Sequence, residues 1–274
     1  MTMDQNERTR ISAKDLGYLA LPEACDRCFW IKQKCKPLPF QIFPGIFNSI
    51  DAYSKKLVHA AFDHFGHAPA WLPQLKSCYR YLKVPHWSKF VRVHEPTGIV
   101  LSGTMDGLFE NIDKSLTIPD YKTAKFTKTQ DALFPMYEVQ LNGYAFIQNG
   151  LGAGKVSDLW LFYFQPMTMP NEEMEQKLFP PEAFGLKVRD YVTGASIWPI
   201  PKYQADGFDM QFEVHGIQVA ILPHLIDDLL ERAKGILDQV EPPEGRHDCQ
   251  DCANLSKMFA MISPWETTMD PIDL

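Results

Sequence analysis

Two carboxylates and a lysine near the middle of the chain are the right residues for a metal-dependent hydrolytic centre. Asp106 lies in Gly103-Thr104-Met105-Asp106-Gly107, and Asp120 and Lys122 lie in Asp120-Tyr121-Lys122-Thr123. Side chains alternate faces along a strand, so Asp120 and Lys122 would point the same way. Asp106 on an adjacent strand would reach the same spot. Two carboxylates and a backbone carbonyl, such as that of Tyr121, make the oxygen-rich site that Mg2+ and Mn2+ prefer. A cation there polarises a phosphoryl oxygen and lowers the pKa of a bound water. Lys122 would orient that water or offset charge developing in the transition state.

The cysteines suggest a second centre. Of six, four form two C-x-x-C pairs, Cys25/Cys28 near one end of the chain and Cys249/Cys252 near the other. Such pairs can give four thiolates to one ion or cluster, which would tie the two ends together. A structural Zn2+ and a [4Fe–4S] cluster both fit this donor set. Cys35 and Cys78 read as ordinary thiols, with Cys35 a spare candidate ligand. The first ten residues lack the apolar core of a signal peptide. The expectation is therefore a cytoplasmic or nucleoid-associated protein that is not secreted, in which disulfides would be disfavoured.

These residues need elements to position them. Residues 98–110 read as one strand and 115–123 as its neighbour, joined by the polar hairpin Asn111-Ile112-Asp113-Lys114. Pro119 cannot donate to a sheet ladder, so the second strand should be bulged there or lie at an edge. Residues 131–149 carry helical spacing through Leu133, Met136, Tyr137, Gln140, Leu141 and Tyr144, which puts Gln140 and Tyr144 on one face. A helix is expected to begin over 11–16. Another spans 48–66, capped by Asn48 or Ser49, with Ile50, Tyr53, Leu57, Ala60 and Ala61 on one side. Pro37, Pro39 and Pro44 mark an extended connection. Residues 156–165 read as a buried strand, 166–205 as a long insertion and 208–214 as an edge strand. Residues 223–239 read as an amphipathic helix that Glu241-Pro242-Pro243 ends.

An acid, then acid-x-Lys, then Gln-x-x-x-Tyr is the motif order of RecB-like nucleases of the PD-(D/E)XK superfamily, and the chain resembles them over about 11–165. The resemblance implies an α/β fold with a restriction-endonuclease-like core, a central mixed sheet flanked by helices. In that reading residues 1–47 form an N-terminal segment with the first cysteine pair, and 48–165 form the nuclease core. Residues 166–274 pack on the same domain, and the two end segments join at the four-cysteine site. Gln140 and Tyr144 take the family's role of orienting the site beside the catalytic lysine. His59 fits the place of a histidine that such enzymes often carry on the preceding helix, with Asp51 and Lys55 as alternative contributors. Members with an iron–sulfur cluster, including the CRISPR-adaptation branch, usually have one N-terminal and three C-terminal cysteines, and this chain has two and two.

The implied activity is Mg2+- or Mn2+-dependent hydrolysis of phosphodiester bonds in DNA, exonuclease-like or at single strands and ends. Recombination, repair, CRISPR adaptation and DNA processing all remain open as its setting, and a protein partner is plausible. A non-catalytic DNA-end or protein-interaction module, an RNA or nucleotide phosphoesterase and a zinc-stabilised structural protein stay as alternatives. The net charge of −7 does not advertise a nucleic-acid binder. The distribution says more: residues 1–150 hold 18 basic against 14 acidic side chains, a net +4, which leaves −11 on residues 151–274. The half with the candidate site could therefore meet phosphates, while the acidic half argues against whole-surface DNA binding. No apolar stretch is long enough to span a membrane.

Overall fold

The structure is a computed structural model, and it describes residues 8–38, 44–127, 130–167 and 212–266. The strands are β1 (Arg10–Ser12), β2 (Cys78–Tyr81), β3 (Val91–His94), β4 (Ile99–Ser102), β5 (Phe109–Asn111), β6 (Leu116–Lys122), β7 (Val156–Pro166) and β8 (Phe212–Val219). The helices are α1 (Ala13–Gly17), α2 (Asp26–Lys34), α3 (Gly45–Phe65), α4 (Phe134–Gly150), α5 (Pro223–Leu237) and α6 (Gln250–Glu266). Two mixed sheets form, in the orders β1-β4-β3 and β2-β5-β6-β7-β8. The α/β class with mixed sheets flanked by helices is therefore present. No helix among the described residues is long and apolar enough to cross a membrane.

Helix α4 connects the parallel strands β6 and β7, as a crossover must. It touches β3 and β4 of the small sheet and β6 and β7 of the large one. A helix packed on several sides needs apolar or satisfied side chains all round, and Val139, Leu141, Tyr144, Ala145 and Ile147 are buried with the hydrogen-bonded Gln140 and Asn142. Strands β6 and β7 are covered on both faces, and β7 accordingly holds the apolar run Leu159–Phe164. Leu116, Ile118, Leu159, Leu161 and Tyr163 join the core that contains α4. The intervening Tyr121, Phe162 and Phe164 join a second core with Val58 and Phe62 of α3.

The strand expected over 98–110 is two strands in two sheets, β4 and β5, with 103–108 a connection between them. The physical cause is Pro119. The β5–β6 ladder pairs Glu110 with Leu116 and Phe109 with Thr117 and then stops. Asn111 N–H donates to Ser115 O at 2.8 Å, so alternate residues of β6 from Ser115 onward direct their N–H toward β5. At Pro119 that donor is missing, and the chain leaves the ladder. The expected edge position is met on one side, since β6 has no β5 partner at Pro119, and no bulge falls there. β6 lies at the centre of its sheet and pairs with β7 through Pro119, opposite Trp160, and its irregularity falls at Leu116/Thr117. Only the β5 flank of β6 is open beyond Thr117.

Other boundaries also move. Residues 10–12 are a strand before the helix, and the Ser12 side chain caps α1 by accepting from Asp15 N. Because β1 pairs with β4, the 1–47 segment contributes to the small sheet and a boundary at 47 does not divide the core. Helix α3 begins at Gly45 after Pro44, without a side-chain cap, so Asn48 and Ser49 lie inside it. Its buried stripe is Ser54, Val58, Ala61 and Phe62, whereas Tyr53 and Leu57 are exposed. The extended connection at 35–44 is described only in part, and Pro39 lies outside the described residues. So does the insertion over 168–205, and of the strand expected over 208–214 only Phe212 onward is described, as β8 at the sheet edge.

Candidate functional site

The open flank of β6 is where the candidate residues meet. Asp106 comes from the 103–108 connection and its Oδ2 accepts from Tyr121 N–H at 2.8 Å, replacing the strand partner that β5 no longer supplies. The Tyr121 carbonyl points to the same side as its N–H, as in any extended strand. Asp120 and Lys122 face α4, and Lys122 Nζ lies 2.5 Å from Asp120 Oδ2. Gln140 bridges the group: its Nε2 donates to Asp120 Oδ1 at 3.1 Å and to the Tyr144 hydroxyl at 2.7 Å. Its Oε1 accepts from Lys122 at 3.4 Å. Asp106, Asp120, Lys122 and Gln140 line a cleft of about 500 Å3 together with Asp51 and Tyr137.

The histidine expectation fares differently. His59 stacks on Tyr81, with ring centroids 4.2 Å apart, and lies against Phe109. The contributors from α3 are Lys55, one turn earlier, and Asp51. Lys55 Nζ sits 2.8 Å from Asp106 Oδ1 and 2.6 Å from Asp51 Oδ2. The physical reason is position along α3: Lys55 and His59 are four apart and share a face, so His59 lies one turn beyond Asp106 and meets Tyr81 and Phe109 instead. The i, i+4 spacing of Asp51 and Lys55 was the available signal. Tyr137, whose ring lies 4.5 Å from Lys122 Nζ, carried no signal beyond helical periodicity.

Asp120 is 1% exposed. Burial pushes its carboxyl up to about 7, Lys122 opposes this, and the Asp106 charge adds to it. Burial works against the Lys55 ammonium too, but Asp106 and then Asp51 outweigh it and hold its pKa above the ordinary lysine value. Asp120 Oδ2 has the Lys122 ammonium as its ion-pair partner. Two adjacent carboxylates that repel each other are a donor set that suits a hard divalent cation.

One glycine is required by this packing. A Cβ at Gly103 would lie 2.5 Å from Tyr144 Cε1. Gly103→Ala is therefore expected to displace the ring that Gln140 bonds. Stability should fall by about 1–3 kcal/mol, and any cleavage by about tenfold or more. A denaturation midpoint and a cleavage rate measured on the same preparation check both.

The four cysteines form the second cluster, with all four Sγ atoms within 4.8 Å of one another. The Sγ separations are 3.6 Å for Cys25–Cys252 and 3.5 Å for both Cys28–Cys249 and Cys28–Cys252. Four thiols this close cannot all ionise without a cation between them. Burial raises the Cys25 thiol, but the backbone N–H groups of Arg246 and Cys28 and the neighbouring thiols outweigh this and bring it down to about 7. Burial pushes the Cys252 thiol up to about 11. The cluster can hold a metal ion or an iron–sulfur cluster. Among the described residues it is the only set of three or more Cys, His or acidic side chains that meets so closely, so Asp51, Asp106 and Asp120 do not form a second one. Gly245 lets its loop close over the sulfurs, since a Cβ there would lie 2.9 Å from Cys252 Sγ. Cys35 is exposed, and Cys78 lies in the second core.

The chain matches no family model and no curated protein.

Proposed function

We propose that this protein is a divalent-metal-dependent nuclease of the PD-(D/E)XK kind that hydrolyses phosphodiester bonds in DNA, exonuclease-like or at single strands and ends. The observation that supports it most is the convergence of Asp106, Asp120, Lys122 and Gln140 on the open flank of β6. The order α3, strands, β6, α4, β7 also agrees with the core that such enzymes share. Asp106, Asp120 and the Tyr121 carbonyl would hold Mg2+ or Mn2+, which when bound activates water and offsets charge on the phosphate. Lys122 holds a proton-donating ammonium beside the attacked phosphate. Gln140 and Tyr144 fix the Asp120 carboxylate and keep water from its buried side. The finer assignment at the thiolates is Zn2+ or [4Fe–4S]. Separations of 3.5–3.6 Å lie near the ~3.8 Å edge of a tetrahedron with Zn–S bonds of about 2.3 Å. The larger cluster requires the thiolates to spread. Iron, sulfide and zinc content with visible absorption separates the two.

A second reading rests on the lysines. Each carboxylate is already held by an ammonium, Lys55 on Asp106 and Lys122 on Asp120. A site neutralised in this way would serve a non-catalytic DNA-end or protein-binding module. Digestion of end-labelled single- and double-stranded DNA, with RNA as control, tests both readings. Shortening of DNA with Mg2+ or Mn2+ and none with a chelator is the expected result. No cleavage by folded protein with its thiolate site loaded, together with no calorimetric Mn2+ binding, replaces the nuclease with the binding module. Cleavage of RNA alone makes it an RNA phosphoesterase.

A further inference from the structure

A second cavity of about 370 Å3 adjoins the carboxylate cleft, and Lys14 and Gln140 line both. Arg10, Trp87, Gly103 and Thr104 complete the part that matters. Its charged lining is wholly cationic, Arg10 and Lys14, whereas the neighbouring cleft carries three carboxylates. Trp87 is a large indole left 54% exposed on a turn. That turn is pinned: His86 O accepts from Lys89 N–H at 2.8 Å and from Phe90 N–H at 3.0 Å, and Phe90 is fully buried. Arg10 Nη2 donates to Trp87 O at 3.1 Å, and its guanidinium lies 5.5 Å from the indole centroid. Arg10 makes no ion pair among the described residues, so its charge stays available at the cavity. The strand that carries Arg10 is β1, held in register on β4.

An exposed indole on a pinned turn, beside cations that make no ion pair among the described residues, is unusual on a surface that serves solubility alone. Aromatic side chains bind single strands by stacking on unpaired bases, and lysine and arginine follow the backbone. In a duplex the base faces are already stacked and out of reach. We propose that this cavity is a subsite for single-stranded nucleic acid. One unpaired base stacks on Trp87, Arg10 and Lys14 take the flanking phosphates, and the strand continues past Gln140 to Asp106 and Asp120. The inference rests on the nuclease reading and gives it a substrate form, a single strand or a frayed end. Because the turn backbone is pinned and Arg10 is bonded to it, less ordering is needed on binding.

The test uses the full chain and a short labelled oligothymidylate, read by fluorescence anisotropy in a chelator so that no cleavage occurs. Trp87→Ala is expected to weaken binding by about tenfold or more, with an unchanged thermal midpoint because the side chain is half exposed. Trp87→Phe should restore most of the affinity and remove the part of the indole quenching that the oligonucleotide causes. Arg10→Gln should lower affinity and reduce the slope of log K against log salt by about one. In a divalent cation, Trp87→Ala should slow cleavage of single strands more than cleavage of blunt duplex. Equal oligonucleotide affinity for wild type and Trp87→Ala, in a wild type that cleaves DNA, overturns the subsite and leaves the nuclease standing. A wild type that neither binds nor cleaves nucleic acid overturns both.

Discussion

Asp120→Asn is expected to reduce DNA cleavage by about a hundredfold to a thousandfold or more, without loss of fold. The substitution keeps the shape, and the carbonyl oxygen of the new amide can still accept from Gln140. It removes the charge, and with it the donor that a divalent cation needs. It also removes a buried carboxyl whose ionisation burial opposes. In the unfolded chain this group titrates near 3.8, and in the folded protein near 7. The unfolded state therefore releases the proton first. In a chelator, wild-type stability should fall as pH rises from about 4 and level off near 7, while Asp120→Asn shows no such fall from this site. A divalent cation should restore wild-type stability at neutral pH and do less for Asp120→Asn. Lys122→Ala gives a contrasting signature. It should abolish cleavage as well but lower stability, because it leaves a carboxylate that is 1% exposed without its ammonium. Thermal midpoints across pH, with and without Mn2+, and cleavage rates at saturating Mn2+ check all of this. A wild-type rate in either variant would remove that residue from the mechanism.

The parts legible in the sequence are those fixed by local chemistry. Asp120 and Lys122 share a face because β-strand period is two, and Gln140 and Tyr144 share one because they are four apart on a helix. The C-x-x-C pairs were legible as one site because each can offer two thiolates to a shared ion or cluster. Strand β7, helix α5 and the hairpin at 111–114 follow from length, periodicity and turn residues. What was not legible depends on tertiary context. Residues 98–110 are apolar enough for one strand, and the break comes from a proline in the neighbouring strand. The position of α3 along the cleft, which brings Lys55 rather than His59 to Asp106 although the two share a face, is set by packing of its Phe62 on Tyr81 and Phe109 of the sheet. The Trp87 turn has no periodicity at all. The nuclease reading itself came from motif order, and the geometry supports it only through the convergence at β6.

Loss of the thiolate centre is expected to release the C-terminal helix first and leave the sheets folded. The reasoning follows from what else holds each segment. Helix α5 buries Ile226, Leu230, Ala233 and Ile236 in the main core, so it does not depend on the sulfurs. It is also tied to the N-terminal segment by Arg232, which reaches Asp26 at 2.7 Å and Leu19 O at 2.8 Å. Trp30 Nε1 donates to Gln239 O at 3.1 Å, and Arg246 Nη1 to Pro22 O at 3.2 Å. Helix α6 has less: it packs chiefly on α2 and exposes Met258, Phe259 and Met261. For α6 a metal or cluster held by these sulfurs would be the main attachment. Structural four-thiolate sites bind with energies comparable to the whole stability of a domain. The global transition can lose only the share of that energy that the core feels. Cys249→Ser with Cys252→Ser, or chelation, should therefore lower the thermal midpoint by about ten degrees rather than abolish folding. Limited proteolysis should gain a cut between Asp238 and Asp248, a described stretch without helix or strand. Unchanged stability and an unchanged digestion pattern would show that the four sulfurs hold nothing. Because no cysteine lines the carboxylate cleft, the clipped protein should keep most of its cleavage rate. A chain that stays folded and loses cleavage would instead couple the two centres, and β1, α1 and Lys14 are the route by which the N-terminal cysteine pair would reach the cleft.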